Sequence, residues 1–324
     1  MYYSHSILLG ATRMAILTRT APPPTFSGHE TFVLRSNWLK KAYDLLIDCP
    51  DLFTLDDSFV RLGVGKNMAL SIRYWGRVCN IFERIEGNSG YRATPLGTLL
   101  FDDTRGYDPF LVSPASRWLL HWQIVARRDA AFTWYYTFNL MRRGEFSAAH
   151  LAQQIVQTVV QYGGKPPSAA TIGRDIDCML RCYLRPDAAR LGAALEDALY
   201  CPLHELDLIQ ALPDQESYRL ISSARPDLPD ELVAYAALHQ ARALGRATVS
   251  FNELAFGERS PGRIFRLDED ALLARLLRTE AITGGRATYS ESGGIRQIAW
   301  RALTDETIAP ALLDAAFAAE QQHA

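Results

Sequence analysis

The sequence predicts a mainly α-helical protein of several domains, with small β-hairpin wings and winged-helix or helix-turn-helix modules. Three observations predict this class. A glycine turn at Gly63–Gly65 joins two helical patterns, and a hairpin pattern directly follows the second of them. A similar order of helices and hairpin returns near the C-terminus. The length of 324 residues allows two or three domains with substantial cores.

Breaks in the pattern divide the chain into four predicted segments. Residues 1–25 form an N-terminal tail and linker that ends in a proline run, and residues 26–106 form a winged-helix domain. Residues 107–224 form a helical middle domain with a second helix-turn-helix-like unit, and residues 225–324 form a C-terminal winged-helix-like domain. The first residues lack the layout of a signal peptide, and Met14 is an alternative start.

The helix after the glycine turn is predicted to run from about Lys66 to Phe82. At roughly 100° per residue, one face carries an apolar stripe formed by Met68, Ile72, Trp75, Cys79 and Phe82. The opposite face carries Lys66, Leu70, Arg73 and Arg77, and Asn67 and Tyr74 lie on a flank. A recognition helix that enters DNA needs an apolar inner face and a cationic outer face of this kind.

A hairpin is predicted directly after this helix. Phe82–Glu86 alternates like a strand, Gly87–Gly90 is a turn, and Tyr91–Thr94 returns as the partner strand with Arg92 on the wing. A helical hairpin with a merely solvated basic face is the alternative, because charged residues usually lie outside. We favour DNA binding because the hairpin follows where a wing belongs.

The positive charge of the chain is concentrated in one segment and does not extend over the whole chain. The net charge is −2 and the isoelectric point is near 6.4, which excludes a globally basic nucleic-acid coat. Between Arg61 and Arg92, however, six cationic residues face only Glu83 and Glu86. Five scattered cysteines and no apolar run of membrane length lead us to expect a cytoplasmic protein.

Two further segments contain candidate modules. Ser168 or Thr171 can cap a helix that carries Arg174 and Arg181, which makes a second helix-turn-helix candidate. An arginine-bearing surface helix is an equally good interpretation of that segment. Near the C-terminus, helices predicted over Leu232–Leu244 and Phe251–Phe256 precede a glycine-punctuated hairpin, which indicates another winged helix.

His29 and Glu30 form the compact acid/base pair near basic residues. His29 could act as base or acid in phosphodiester hydrolysis, while Arg35 and Lys40 neutralise the phosphoryl charge. The alternative is structural, with both residues capping or hydrogen-bonding the helix predicted over Trp38–Ile47, for which Asn37 is the expected cap. Gly63–Lys66 lacks the first glycine and the Ser/Thr of a phosphate loop, so ATP binding there is excluded.

Long ungapped motifs between residues 26 and 75 resemble one bacterial family. They are Phe26-Ser-Gly-His-Glu-Thr-Phe32, Trp38-Leu-Lys-Lys41 after Arg35, Leu62-Gly-Val-Gly-Lys-Asn-Met68, and Ser71-Ile-Arg-Tyr-Trp75. On these motifs the chain resembles the SspB-like proteins, which are encoded beside DNA phosphorothioation enzymes. The segment Ser168–Leu184 is also similar to the middle region of the family.

The resemblance implies a role in a phage-defence system that replaces a non-bridging phosphate oxygen of single-stranded DNA by sulfur. The implied partners are DNA, a cysteine desulfurase, an ATPase and an ATP-pyrophosphatase-like sulfur transferase. In that set this component is associated with DNA nicking, for which Mg²⁺ or Mn²⁺ is the expected cofactor. The resemblance transfers no catalytic residue, so His29 and Glu30 remain candidates from the sequence alone.

The predicted function is therefore a DNA-binding nickase that opens one strand for sulfur incorporation. Phosphates are expected to contact Lys66, Arg73, Arg77 and Arg92, while Asn67 and Tyr74 reach bases. One alternative is a non-enzymatic DNA-binding scaffold or regulator that recruits the sulfur-transfer enzymes. Another is a protein-binding module that uses its winged helices as docking surfaces.

Overall fold

The structure, a computed structural model, describes residues 23–185, 201–213 and 216–321, with side chains described to residue 319. Most of the predicted tail over residues 1–25, including Met14, lies outside these ranges. Helices dominate the described chain, and its strands form three small antiparallel sheets. This confirms the predicted mainly α class with small β-hairpins. The predicted domain boundaries stay a prediction.

The N-terminal third contains four helices, a single 3₁₀ turn and one hairpin. In chain order they are α1 (Ser36–Asp48), the 3₁₀ turn (Leu52–Thr54), α2 (Ser58–Arg61), α3 (Lys66–Val78), β1 (Phe82–Arg84), β2 (Tyr91–Ala93) and α4 (Pro95–Phe101). The prediction of Asn37 as a cap is wrong, because α1 begins at Ser36 and Asn37 lies in its first turn. The predicted helix from Lys66 ends at Val78, earlier than expected.

The middle third is a helical layer with a three-stranded sheet. It contains α5 (Pro114–Ala126), α6 (Phe132–Tyr135) continued by a π-helical turn (Tyr136–Leu140), β3 (Glu145–Ser147), α7 (Ala148–Gln161), α8 (Ala169–Tyr183), a 3₁₀ turn (Pro202–Leu206), β4 (Ile209–Ala211) and β5 (Ser217–Leu220). The strand order is β3-β5-β4, so the strand before α7 pairs with the last strand of the hairpin. Ser168 caps α8 as predicted, since its hydroxyl accepts the Thr171 N–H at 3.2 Å.

The C-terminal third repeats this arrangement. It contains α9 (Asp230–Leu244), β6 (Thr248–Ser250), α10 (Phe251–Phe256), α11 (Pro261–Ile264), α12 (Glu269–Leu276), α13 (Thr279–Ile282), β7 (Ala287–Ser292), β8 (Ile295–Trp300) and α14 (Ile308–Gln321). The strand order is β6-β8-β7, so β6, which lies before the short helices, again pairs with the last strand of the hairpin. None of the helices in the described ranges is both long and apolar enough to cross a membrane.

One contiguous apolar core includes side chains from all three thirds. Its largest fully buried members are aromatic, and they include Trp75, Trp118, Trp134, Tyr135 and Tyr183. His121 lies among them and receives a hydrogen bond from the Tyr183 hydroxyl at its Nδ1 (2.8 Å), while its Nε2–H donates to the Ile264 carbonyl (2.8 Å). Burial lowers the pKa of His121 to about 3, so the ring is neutral and joins α5 to α8 and α11.

Candidate nucleic-acid interface

The turn before α3 is fixed by glycine chemistry. Gly63 has φ +61°, its N–H donates to the Val60 carbonyl (2.9 Å), and the next N–H, of Val64, donates to the Phe59 carbonyl (2.9 Å). These two bonds are the pattern that ends a helix in a left-handed residue, which a side chain at this position would strain. The chain therefore leaves α2 sharply and begins α3 at Lys66.

The inner face of α3 is buried as the periodicity predicts. Ile72, Trp75 and Cys79 are fully buried, and the Trp75 indole N–H donates to the Phe32 carbonyl at 3.0 Å. Gly76 lies against the Phe82 ring, where an added Cβ would come within 2.0 Å of a ring carbon. The helix is thus clamped between the hairpin and the loop before α1, and its rotation about its own axis is fixed.

The outer face of α3 presents three cations. Lys66 and Arg77 are exposed and Arg73 is half-buried, and the three fall within one narrow stripe of the helix. In the described part of the chain, none of these three side chains forms an ion pair or donates a hydrogen bond. Lys66 instead lies 5.3 Å from the centre of the Phe59 ring. Asn67 is exposed on the flank, as predicted.

Tyr74 points inward rather than to solvent. Its hydroxyl donates to the Ala130 carbonyl at 3.1 Å, and its ring packs edge-on against His29 at 5.8 Å between centroids. Burial raises the pKa of the Tyr74 phenol well above its usual value. The side chain connects α3 to the loop before α6, and its hydroxyl is engaged within the protein.

The other predicted phosphate contacts of the N-terminal third are engaged by neighbours. Lys40 donates to Asp44 at 2.5 Å and to Asp103 at 2.8 Å. Arg92 donates through Nε (2.8 Å) and Nη2 (2.7 Å) to the Glu83 carboxylate across the hairpin. Arg35 lies 4.8 Å from the Trp38 ring centre. The charges of Lys40 and Arg92 are therefore balanced within the protein, in contrast to those on α3.

The arginines predicted on α8 divide in the same way. Arg174 is exposed, and its one side-chain hydrogen bond within the described ranges is from Nη2 to the Thr171 hydroxyl at 3.5 Å. Arg181 donates to Asp177 at 2.9 Å and to the Thr31 carbonyl at 2.6 Å. Arg181 thereby holds the loop that carries His29 and Glu30, whereas Arg174 forms no ion pair in the described ranges.

His29 is fully buried in a polar network inside an aromatic box. Its Nδ1 accepts the Thr31 N–H at 3.0 Å, so its Nε2 carries the proton and donates to the Asp175 carboxylate at 2.9 Å. The surrounding rings are Tyr74, Trp75 and Trp134. Both ring nitrogens of His29 are therefore engaged within the protein.

Asp175 is the residue that sequence reasoning missed. Its side chain is 1% exposed and accepts three hydrogen bonds: the Ser27 N–H at 2.6 Å, the His29 ring and the Thr133 hydroxyl at 2.8 Å. Asp175 lies within the segment Ser168–Leu184, but its partners are up to 148 residues away, and no local pattern indicates that pairing.

Glu30 lies on a strained loop. Ser27, Glu30 and Thr31 all have positive φ angles, at 61°, 48° and 67°. Such angles in residues with side chains cost energy and persist only where the surroundings impose them, and they cluster at functional sites. Glu30 is partly exposed, and its carboxylate makes no hydrogen bond or ion pair in the described ranges. His29 and Glu30 are neighbours in the chain, but the structure places His29 in a buried network and leaves Glu30 partly exposed.

No preformed magnesium site is visible in the described ranges. They contain no group of three or more His, Cys, Asp or Glu side chains placed to hold a metal ion. Mg²⁺ is usually bound through one or two carboxylates together with phosphate oxygens and water. The described residues therefore do not fit an all-protein cage for this metal.

The comparisons with known proteins agree with one another. A family model described as a protein of unknown function, DUF4007, matches residues 26–317. A crystal structure of magnesium ion-bound SspB shares 30% sequence identity with a TM-score of 0.78, and the match covers 96% of this chain and 99% of that one. A second SspB crystal structure shares 30% identity with a TM-score of 0.77, over 96% of this chain and 100% of that one. No curated protein matches the chain. The chain therefore belongs to the SspB family, the proteins of unknown function described as DUF4007.

Proposed function

We propose that this protein binds DNA through the outer face of α3 and nicks one strand for phosphorothioation. The observation that carries DNA binding is the set of three cations on that face, Lys66, Arg73 and Arg77, which have no acidic partner in the described ranges. Cations left unpaired on one side of a helix are available for phosphates. The uncapped start of α3 at Gly65 adds backbone N–H groups of the same polarity.

The topology of the two three-stranded sheets supports winged-helix modules. In each, a strand that precedes the helices pairs with the last strand of the hairpin, in the orders β3-β5-β4 and β6-β8-β7. In the N-terminal third, α2, the Gly63 turn, α3 and the β1-β2 hairpin follow in the order of a helix-turn-helix with a wing. On this proposal α3 is the recognition helix and Asn67 is the residue placed to reach bases.

Nicking is the finer part of the proposal and rests on the family resemblance. In this step water attacks the phosphorus, one P–O ester bond breaks, and the departing alkoxide oxygen takes a proton. Glu30 has a free carboxylate to accept the proton of the attacking water, and His29 is the candidate acid that gives a proton to the departing alkoxide. A catalytic His29 would have to release the Thr31 N–H that its Nδ1 now accepts.

Incubation with supercoiled plasmid tests the nicking step. We expect conversion to open circles in Mg²⁺ or Mn²⁺, loss of conversion in EDTA, and loss in Glu30→Ala and His29→Gln variants that still fold. Glutamine can donate to Asp175 through its amide, so His29→Gln removes the proton-transferring imidazole while retaining that hydrogen bond. Nicking that survives both substitutions would show that the active site lies elsewhere.

The second candidate is a DNA-binding scaffold that recruits the sulfur-transfer enzymes. Two observations favour it: both nitrogens of His29 are engaged, and the described ranges lack a metal-ligand cluster. Salt-sensitive DNA binding without nicking, in a preparation that contains either metal, would select this candidate over the nickase.

A further inference from the structure

A preformed cavity lies on a part of the surface that the DNA-binding proposal does not use. It has a volume of about 600 Å³ and lies between the loop before α5, the segment before α9 and the helix α14. Its lining is mostly apolar and includes Tyr107, Val112, Leu228 and Phe317. This volume is in the range of sites that hold a few side chains of a ligand.

Internal contacts hold the walls of the cavity in place. The Tyr107 and Phe317 rings stack at 5.1 Å between centroids with 10° between their planes. The buried Asp108 carboxylate accepts the N–H groups of Val112 (3.1 Å) and Ser113 (2.8 Å), which fixes the loop. Leu111 in that loop has φ +55° and is buried, so the loop holds a strained shape. A site already in shape costs little ordering when a ligand binds.

The loop before α5 also exposes apolar side chains to solvent. Phe110 is 77% exposed and Val112, at the rim of the cavity, is 66% exposed. Because Leu111 is turned into the core between them, the exposure of Phe110 and Val112 follows from the fixed backbone. Apolar groups held out of the core beside an apolar cavity are typical of a surface that a partner covers.

The charges at the cavity have one sign. Asp108, Asp227 and Glu231 line it, and none of the described lysines, arginines or histidines does. The nearby Arg117 is turned to the Val112 carbonyl at 2.7 Å, and Arg225, which interacts electrostatically with Asp227, donates its hydrogen bonds to the Leu206 and Ile221 carbonyls. One oxygen of Asp227 accepts the Trp118 indole N–H at 3.0 Å, and its other oxygen makes no hydrogen bond in the described ranges.

We propose that this cavity docks a segment of a partner protein in which an arginine or lysine stands next to an apolar side chain. The apolar side chain would cover Val112 and Leu228, and the cation would meet Asp227 and Glu231 beside the Tyr107 ring. Arginine suits such a site because its guanidinium pairs with carboxylates and lies on aromatic faces. The negative lining repels phosphates, so this surface is distinct from the α3 face and does not depend on the proposed DNA binding.

Phage-displayed random heptapeptides panned on the whole protein test the proposal. We expect enriched peptides to share an arginine or lysine adjacent to an aliphatic or aromatic residue. A synthetic peptide with citrulline in place of the arginine should bind about tenfold more weakly, because it loses charge-assisted hydrogen bonds but keeps its shape. Fluorescence anisotropy measures both affinities.

The variant Asp227→Asn/Glu231→Gln should lose the same peptides, while labelled duplex DNA binds it as it binds the wild type. The matched control is Glu269→Gln/Asp270→Asn, which removes two carboxylates from the exposed first turn of α12 and should retain the peptides. Enrichment of peptides without a cation, equal binding by the two variants, or no enrichment would overturn the proposal. If the wild type bound the peptides but did not bind DNA, only the proposed function would be overturned.

Discussion

Replacing Arg73 and Arg77 together by alanine is expected to weaken DNA binding by about 100-fold at physiological salt. Each guanidinium is expected to donate a charge-assisted hydrogen bond to a phosphate, and one such bond is worth roughly tenfold in affinity. The slope of log K against log salt should fall by about 2, since two counterion-releasing contacts are lost. Anisotropy of a labelled duplex of about 25 base pairs across a salt series measures both quantities.

The variant should fold, because alanine favours a helix and the buried face of α3, with Ile72 and Trp75, is untouched. The matched control is Arg219→Ala/Arg278→Ala, which removes two exposed arginines that are already paired with Glu145 and Asp230. The control should bind DNA within about twofold of the wild type, because its lost charges are balanced within the protein. If the Arg73/Arg77 variant and the control bound DNA with the same affinity and the same salt slope, α3 would not contact DNA.

Asp175→Ala is expected to destabilise the protein by about 3–5 kcal/mol. The substitution leaves the Ser27 N–H, the His29 ring N–H and the Thr133 hydroxyl without an acceptor in a buried site. The loop over residues 27–31 should also lose two of its hydrogen bonds to α8, those of Ser27 and His29, and keep the one from Arg181 to the Thr31 carbonyl. Urea denaturation followed by tryptophan fluorescence measures the free energy of unfolding.

Asp177→Ala is the control on the same helix. Asp177 is exposed and pairs with Arg181 on the surface, so its loss should cost less than about 1 kcal/mol. Asp175→Asn keeps one acceptor oxygen and should lie between the two. A change below about 1 kcal/mol in Asp175→Ala would contradict the role of this carboxylate as the buried anchor of the loop.

Periodicity predicted the elements well where burial follows a regular spacing. The stripe with Ile72, Trp75 and Cys79 is buried as expected, and the helix Phe251–Phe256 has the predicted bounds. The turn at Gly63 was predictable because a left-handed residue favours glycine. The start of α1 was not predictable. Arg35 precedes the helix and its side chain makes no capping hydrogen bond, so the sequence carries no capping signal there.

The sequence could not predict whether each charged residue is paired or free, because its partners are distant in the chain and meet only in the folded protein. Lys40 meets Asp103, which lies 63 residues away, and Arg181 meets the Thr31 carbonyl, 150 residues away. His29 and Asp175 are 146 residues apart. The sequence indicated a basic helix. Only the tertiary contacts distinguish the free cations of α3 from Lys40 and Arg92, which are paired.

The cavity beside α14 illustrates the same limit. Its walls come from residues 107–114, 226–231 and 316–319, three segments that carry no shared pattern. In the first of these segments, the burial of Leu111 and the exposure of Phe110 follow from a backbone φ angle of +55° at Leu111. Such an angle in leucine has no sequence signal.

Photocrosslinking from single positions tests the central claim most directly. The photoreactive amino acid p-benzoylphenylalanine replaces Asn67 on the exposed flank of α3 in one variant and Val112 at the rim of the acidic cavity in another, since both positions are exposed. On irradiation with labelled duplex DNA, we expect a covalent protein–DNA product from position 67 and none from position 112, because phosphates approach the cationic face. Equal crosslinking from both positions, or none from position 67 in protein that binds DNA, would contradict the assignment of α3 as the DNA-binding helix.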